Sequence, residues 1–162
     1  MDFLTTKENY EQALEYQDLA TDILCDNGYN VNCYCSKKWQ YEKGESRNGI
    51  EIKNDKLVSQ TGNLYIETHE KQKEATSWVK SGILREDNTK YWFIGDNKKA
   101  WFFRKTQLRA LTNKKEFKRK ETPTSRGILI PIKYLEDHPN IPLEVFDIER
   151  MIQENENHIP GV

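Results

Sequence analysis

The chain has 162 residues, enough for one domain whose core needs no disulfide or metal staple, and two packed domains are not expected. Hydrophobic content is only 36%, yet four Trp, eight Tyr and six Phe supply large buried areas, so a folded domain with a charged surface is expected. A net charge of -1 excludes a general attraction to polyanions but hides two poles: seven acids face Lys7 alone between Asp2 and Cys35, whereas eleven Lys or Arg face Glu116 and Glu121 between Lys98 and Arg126, a zone that suits a polyanion or a plain solvated surface.

No run reaches the length that spans a bilayer, and "MDFLTTKENY" is acidic and polar where a signal peptide is basic and then apolar. A cytoplasmic location is therefore expected, that of the host cell if the source is viral. Thr5 followed by Glu8 reads as a capping box, and Tyr10, Ala13, Leu14, Ala20, Ile23 and Leu24 recur at helical spacing until Asn27-Gly28 ends the run. "YNVNCYC" alternates as a first strand. Its Cys33 and Cys35 make an odd set with Cys25, which reads as reduced thiols and not as a zinc site. In the polar stretch that follows, Gln40, Glu45 and Arg47 read as a surface loop or as a lip over a site.

Next come two charged strands, "GIEIKND" and "NLYIETHE". "KQKEATSWVKSGILREDN" is loop-like with a short helical turn, and "KYWFIG" and "KAWFFRK" flank the tight turn Asp96-Asn97-Lys98 as a hairpin, with Trp92 and Trp101 in the core. Thr106 caps a predicted helix through "QLRALTNKKEF", "KRKETPTSR" is a predicted mobile loop, and "GILIPI" is a last strand whose pairing Pro131 limits. An acidic helical tail over 143–157 completes the chain, and His138 and His158 read as surface residues. The expected fold class is α/β or α+β in a single domain, with a core at about 6–135, an N-terminal helix, a central mixed sheet, and a second hairpin plus helix.

Strand residues alternate sides, so Ile50 and Ile52 share one face and Glu51, Lys53 and Asp55 the other, while Leu64 and Ile66 oppose Tyr65, Glu67 and His69. If residues 56 to 62 form the turn of a hairpin, the apolar sets coincide and Glu51, Asp55 and Glu67 crowd together. Lys53 can neutralise one carboxylate, but a divalent cation offsets more repulsion, and oxygen donors favour Mg2+ or Mn2+ over zinc. A solvated face with cross-strand Lys–Glu pairs is the alternative.

"EIKND", "TGNLYIE", "SGI" and "KYWFIG", in this order and spacing, resemble the PD-(D/E)XK (restriction-endonuclease-like) nuclease superfamily, in particular its small phage-type members, over about residues 10 to 135. The resemblance implies a helix, three-strand meander, helix and strand core, with Asp55 matching the first acid and Glu67 the second. The third position, usually Lys, falls on His69, which could position water or assist proton transfer; Lys53 or Lys71 could supply the cation instead. A second register stays open, in which Glu51-Ile52-Lys53 is the E-x-K element with Glu45 or Asp26 as its partner. The implied activity is Mg2+- or Mn2+-dependent hydrolysis of DNA in phage or prophage processing, with Asp55 and Glu67 as ligands and Glu51 completing or ordering the site. Arg104, Lys105, Arg109, Lys114 and Lys115 would hold the phosphate backbone. Nucleases of this size commonly act as homodimers that cut both strands, and the competing expectation is a catalytically inactive nuclease-fold module that binds nucleic acid or protein.

Overall fold

The computed structural model describes residues 3–33, 42–44 and 46–157. Cys35, Trp39, Gln40, Glu45 and His158 lie outside the described residues, as does the side chain of Tyr10. The long helix α1 (Phe3–Asp26) begins ahead of Thr5, so that residue is not its cap, and it ends where Asn27-Gly28 predicts. Tyr16, Ala20, Ile23 and Leu24 form its buried stripe, while Leu14 is 43% exposed.

Among the described residues eight strands form two four-stranded sheets, so the fold is mixed α/β. The first sheet has the order β1-β4-β5-β8, from β1 (Ile50–Asn54), β4 (Tyr91–Gly95), β5 (Lys99–Arg104) and β8 (Glu144–Asp147). It is mixed: β1 runs parallel to β4, and the other neighbours are antiparallel. The second sheet, order β3-β2-β7-β6, is antiparallel throughout and contains β3 (Val79–Lys80), β2 (Asn63–Glu70), β7 (Ser125–Pro131) and β6 (Lys118–Glu121). Short helices α2 (Val58–Thr61), α3 (Lys105–Leu111) and α4 (Ile132–Asp137) connect the strands, and α5 (Ile148–Asn157) follows β8. Among the described residues no helix is long and apolar enough to cross a membrane.

Packing explains the continuous apolar runs of β4 and β5. Trp92, Ile94, Trp101 and Phe103 point towards the second sheet and join Leu64, Ile66, Ile128 and Ile130 in one core. Phe93, Ala100 and Phe102 point the other way and join Tyr16, Ala20 and Leu24 of α1. A sheet covered on both faces has no wet side, so its central strands need no polar alternation. The layers are α1, first sheet, second sheet.

Several expectations change. β1 and β2 do not pair as a hairpin: they belong to different sheets, and the predicted turn is a crossover that contains α2. "KRKETPTSR" is not a loop but β6 and the start of β7, and β7 is an interior strand between β2 and β6, with Pro131 at its end where no further ladder bond is required. "YNVNCYC" contributes a single bridge, Cys33 to Ser46, among the described residues. The tail is not only helix, since β8 adds an edge strand and buries Phe146, and Ile148 is buried with it.

Candidate active site

Where β1 ends, the chain leaves the first sheet, and α2 carries it across to β2 in the second. This crossover places Asp55 and Glu67 on one cavity of about 200 Å³, also lined by Lys53, Asn54, Tyr65 and Trp92. Of the three acids expected to crowd together, Asp55 and Glu67 share this cavity with Lys53, by a route between sheets and not across a hairpin, and Glu51 does not line it.

Asp55 is fixed by backbone amides. Its own N–H donates to the Gly95 carbonyl at 2.7 Å, its Oδ2 accepts from Tyr65 N at 2.8 Å and its Oδ1 from Leu57 N at 3.3 Å. Burial pushes this carboxyl above its ordinary range, although the Tyr65 and Leu57 amides oppose the rise. Glu67 is fixed by hydroxyls. Ser81 Oγ donates to Oε1 at 2.8 Å and Ser125 Oγ to Oε2 at 2.5 Å. Because the Ser125 proton is committed to Glu67, the Tyr65 hydroxyl is the donor in its 2.6 Å contact with Ser125.

Glu51 is not in this cavity. Ile50 and Ile52 face α1, which turns Glu51 into the space between the sheets, where it is 5% exposed. It is tolerated there because cations surround it: Lys53 Nζ stands 2.6 Å from Oε1 and Arg85 3.9 Å from Oε2. Arg85 bonds Asp87 at 2.9 Å and Asp87 bonds Lys105 at 3.0 Å, so alternating charges run from Lys105 to Lys53. Glu51 thus anchors Lys53 and does not add a third carboxylate.

His69 is also absent from the cavity. The pairing of β2 with β7 shifts between Glu67, opposite Gly127, and His69, opposite Arg126. Without that extra residue His69 would face Ser125 and share the side of Glu67; the bulge reverses its parity. Its Nδ1 lies 3.0 Å from Thr68 Oγ1 instead.

Of the predicted phosphate-binding residues, Arg104, Lys105 and Arg109 line a second cavity of about 350 Å³ with Lys90 and Tyr91. Lys105 is only 7% exposed and bonds Asp87 and the Arg85 carbonyl, so it is a structural cation and not a surface contact. Arg109 pairs with Glu86 at 2.8 Å. Lys114 and Lys115 are exposed in the turn after α3 and line neither cavity. Lys71 Nζ stands 4.7 Å from the ring centre of Trp78, whose ring also receives Arg126 at 4.0 Å.

Among the described residues no group of three or more His, Cys, Asp or Glu side chains is placed to hold a metal ion. Asp55 and Glu67 are two carboxylates on one cavity, the donor type that an Mg2+-like ion takes together with water and substrate phosphate. Each carboxylate oxygen accepts one bond here and has a second lone pair. The partly buried carboxylate of Asp55 also supplies a reason for a cation.

That charge has a measurable consequence. A carboxyl raised by burial adds stability below its unfolded value, near 3.8, and loses it as pH climbs through the raised folded value. Asp55→Asn removes this titration and keeps an acceptor for Tyr65 N, while its NH2 replaces the weaker acceptor of Leu57 N. Without divalent ions, denaturant melts across roughly pH 4 to 8 should show the variant gaining on the parent as pH rises. Parallel profiles would show that burial does not govern Asp55.

No protein-family model, curated protein or solved structure matches the chain.

Proposed function

We propose that the protein is a metal-dependent nuclease that hydrolyses phosphodiester bonds in DNA, with Asp55 and Glu67 as ligands for Mg2+ or Mn2+. The reading extends the PD-(D/E)XK resemblance and its restriction-endonuclease-like core, and phage or prophage DNA processing is the setting that resemblance suggests. The observation that carries it is the meeting of Asp55, Glu67 and Lys53, from two sheets, in one cavity.

When bound, the ion supplies Lewis-acid activation of water and stabilises charge building on the phosphate. The chain's own residues orient and exclude. Ser81 and Ser125 aim Glu67, the Tyr65 and Leu57 amides aim Asp55, and Glu51 holds the Lys53 ammonium where it can donate to a non-bridging phosphate oxygen. Trp92 and Ile94 give the cavity an apolar wall that strengthens these charge interactions by keeping water out.

Purified protein is expected to nick supercoiled or branched DNA with Mg2+ or Mn2+ and to stop when the ion is chelated. Calorimetry should detect Mn2+ binding that Asp55→Asn abolishes. One observation favours a second reading, a non-catalytic module binding nucleic acid or protein: two carboxylates line the cavity and no third metal-ligating side chain is grouped with them among the described residues. DNA left intact, together with no Mn2+ heat, would reject the nuclease and select the module.

A further inference from the structure

The bulge in β2 carries His69 away from the cavity, and Lys53 is already paired with Glu51. A phosphate approaching Asp55 and Glu67 therefore meets one ammonium from β1, Lys53, whose charge Glu51 partly offsets, and no cation at the His69 position of β2. The second sheet supplies one from another strand.

Paired residues on neighbouring strands share a face. Glu67 on β2 is opposite Gly127 on β7, and Gly127 is opposite Lys120 on β6, so the three form one row across the sheet. At the usual strand spacing the backbones of Glu67 and Lys120 stand about 10 Å apart. Gly127 puts no side chain of its own between them, and the Tyr65 ring lies over it. A Cβ on Gly127 would lie 2.6 Å from Tyr65 Cε2 and 2.8 Å from Cζ, so the glycine is what lets the phenol lean across β7. Lys120 Nζ rests 5.5 Å from the centre of that ring.

An aromatic face holds an ammonium without cancelling its charge. Lys120 is exposed and forms no ion pair with a carboxylate among the described residues, and its neighbour Glu121 is occupied by Arg126 at 2.6 Å. Lys118 lies on the same side of β6, one row further along, beside the row of Tyr65 and Leu129.

Building on the nuclease reading, we infer that Lys120 is a substrate-contact residue that binds the phosphodiester backbone at the cavity mouth, with the nucleic-acid strand led across β7 and the edge strand β6. It supplies from the edge of the sheet the cation that His69, in the expected lysine position, does not. Tyr65 is its positioning residue.

The test uses the full chain, a fluorescent DNA duplex and the substitutions Lys120→Gln, Lys120→Arg and Lys133→Gln, the last on an exposed α4 lysine paired with Asp137. Binding is followed by anisotropy in a Glu67→Ala background, and turnover in the parent background. Lys120→Gln should weaken binding about five- to tenfold and reduce the slope of log K against log salt by about one. It should raise KM more than it lowers kcat, Lys120→Arg should restore most of the loss, and Lys133→Gln should match the parent. If the parent cleaves and Lys120→Gln binds and turns over equally well, the inference is overturned while the nuclease reading stands. If the parent neither binds nor cleaves DNA, both fall.

Discussion

If the protein is the nuclease proposed, Glu67→Ala is expected to slow phosphodiester hydrolysis by about 10³-fold, and Ser81→Ala and Ser125→Ala by about 10- to 100-fold each. The difference follows from what each group does. Glu67 supplies the carboxylate itself, whereas the two serines fix its direction through separate oxygens, at 2.8 Å and 2.5 Å, so losing one leaves the other in place. The Ser81→Ala, Ser125→Ala double variant frees both oxygens, and its loss should exceed either single loss. Tyr65→Phe removes only the donor to Ser125 and should cost less than Ser125→Ala. Single-turnover rates at saturating Mg2+ separate these effects from substrate binding, and Mn2+ affinity should fall in the same order. Full activity in Glu67→Ala would remove Glu67 from the chemistry, and with it the metal assignment.

The parts of this site that were legible in the sequence are those that depend on local alternation. Alternation placed Asp55, just past β1, and Glu67, within β2, on the charged faces of their segments, and the family resemblance then singled them out; Trp92 and Trp101 read as core because "YWFIG" and "AWFF" leave no position for a wet face. Alternation assigns faces but does not choose partners. β1 goes to β4 and β2 to β7 because both faces of the first sheet need cover, from α1 on one side and the second sheet on the other, and that demand belongs to the assembled layers. Ser125 could not be found for the same reason: it lies 58 residues from Glu67 and meets it only through the β2–β7 ladder. β6 reads as loop because all four of its residues are exposed, so backbone pairing alone defines it. Lys105 reads as a surface cation because sequence shows its charge but not Asp87, 18 residues earlier, closing on it in three dimensions.

Gly82→Ala should cost about 2–5 kcal/mol of stability and damage the site at the same time. Gly82 opens the 3-10 turn Gly82–Leu84 with φ near 50°, a left-handed conformation that any side chain makes less favourable by about 1–2 kcal/mol. Steric overlap adds to this. An added Cβ would lie 2.3 Å from the Glu67 carbonyl oxygen and 2.9 Å from its carbon, and these are backbone atoms that cannot swing aside. Relief requires the turn or β2 to move, and either movement separates Ser81 Oγ from Glu67 Oε1. Gly62→Ala provides the comparison, because Gly62 has φ near 68° but nothing within 4 Å of the added atom. It should show the conformational cost alone, about 1–2 kcal/mol, with Mn2+ affinity unchanged. Urea midpoints and Mn2+ calorimetry on both variants measure the two consequences separately. Equal destabilisation by the two substitutions, with metal affinity intact in each, would mean that the close packing of Gly82 on β2 does not hold Glu67 in place.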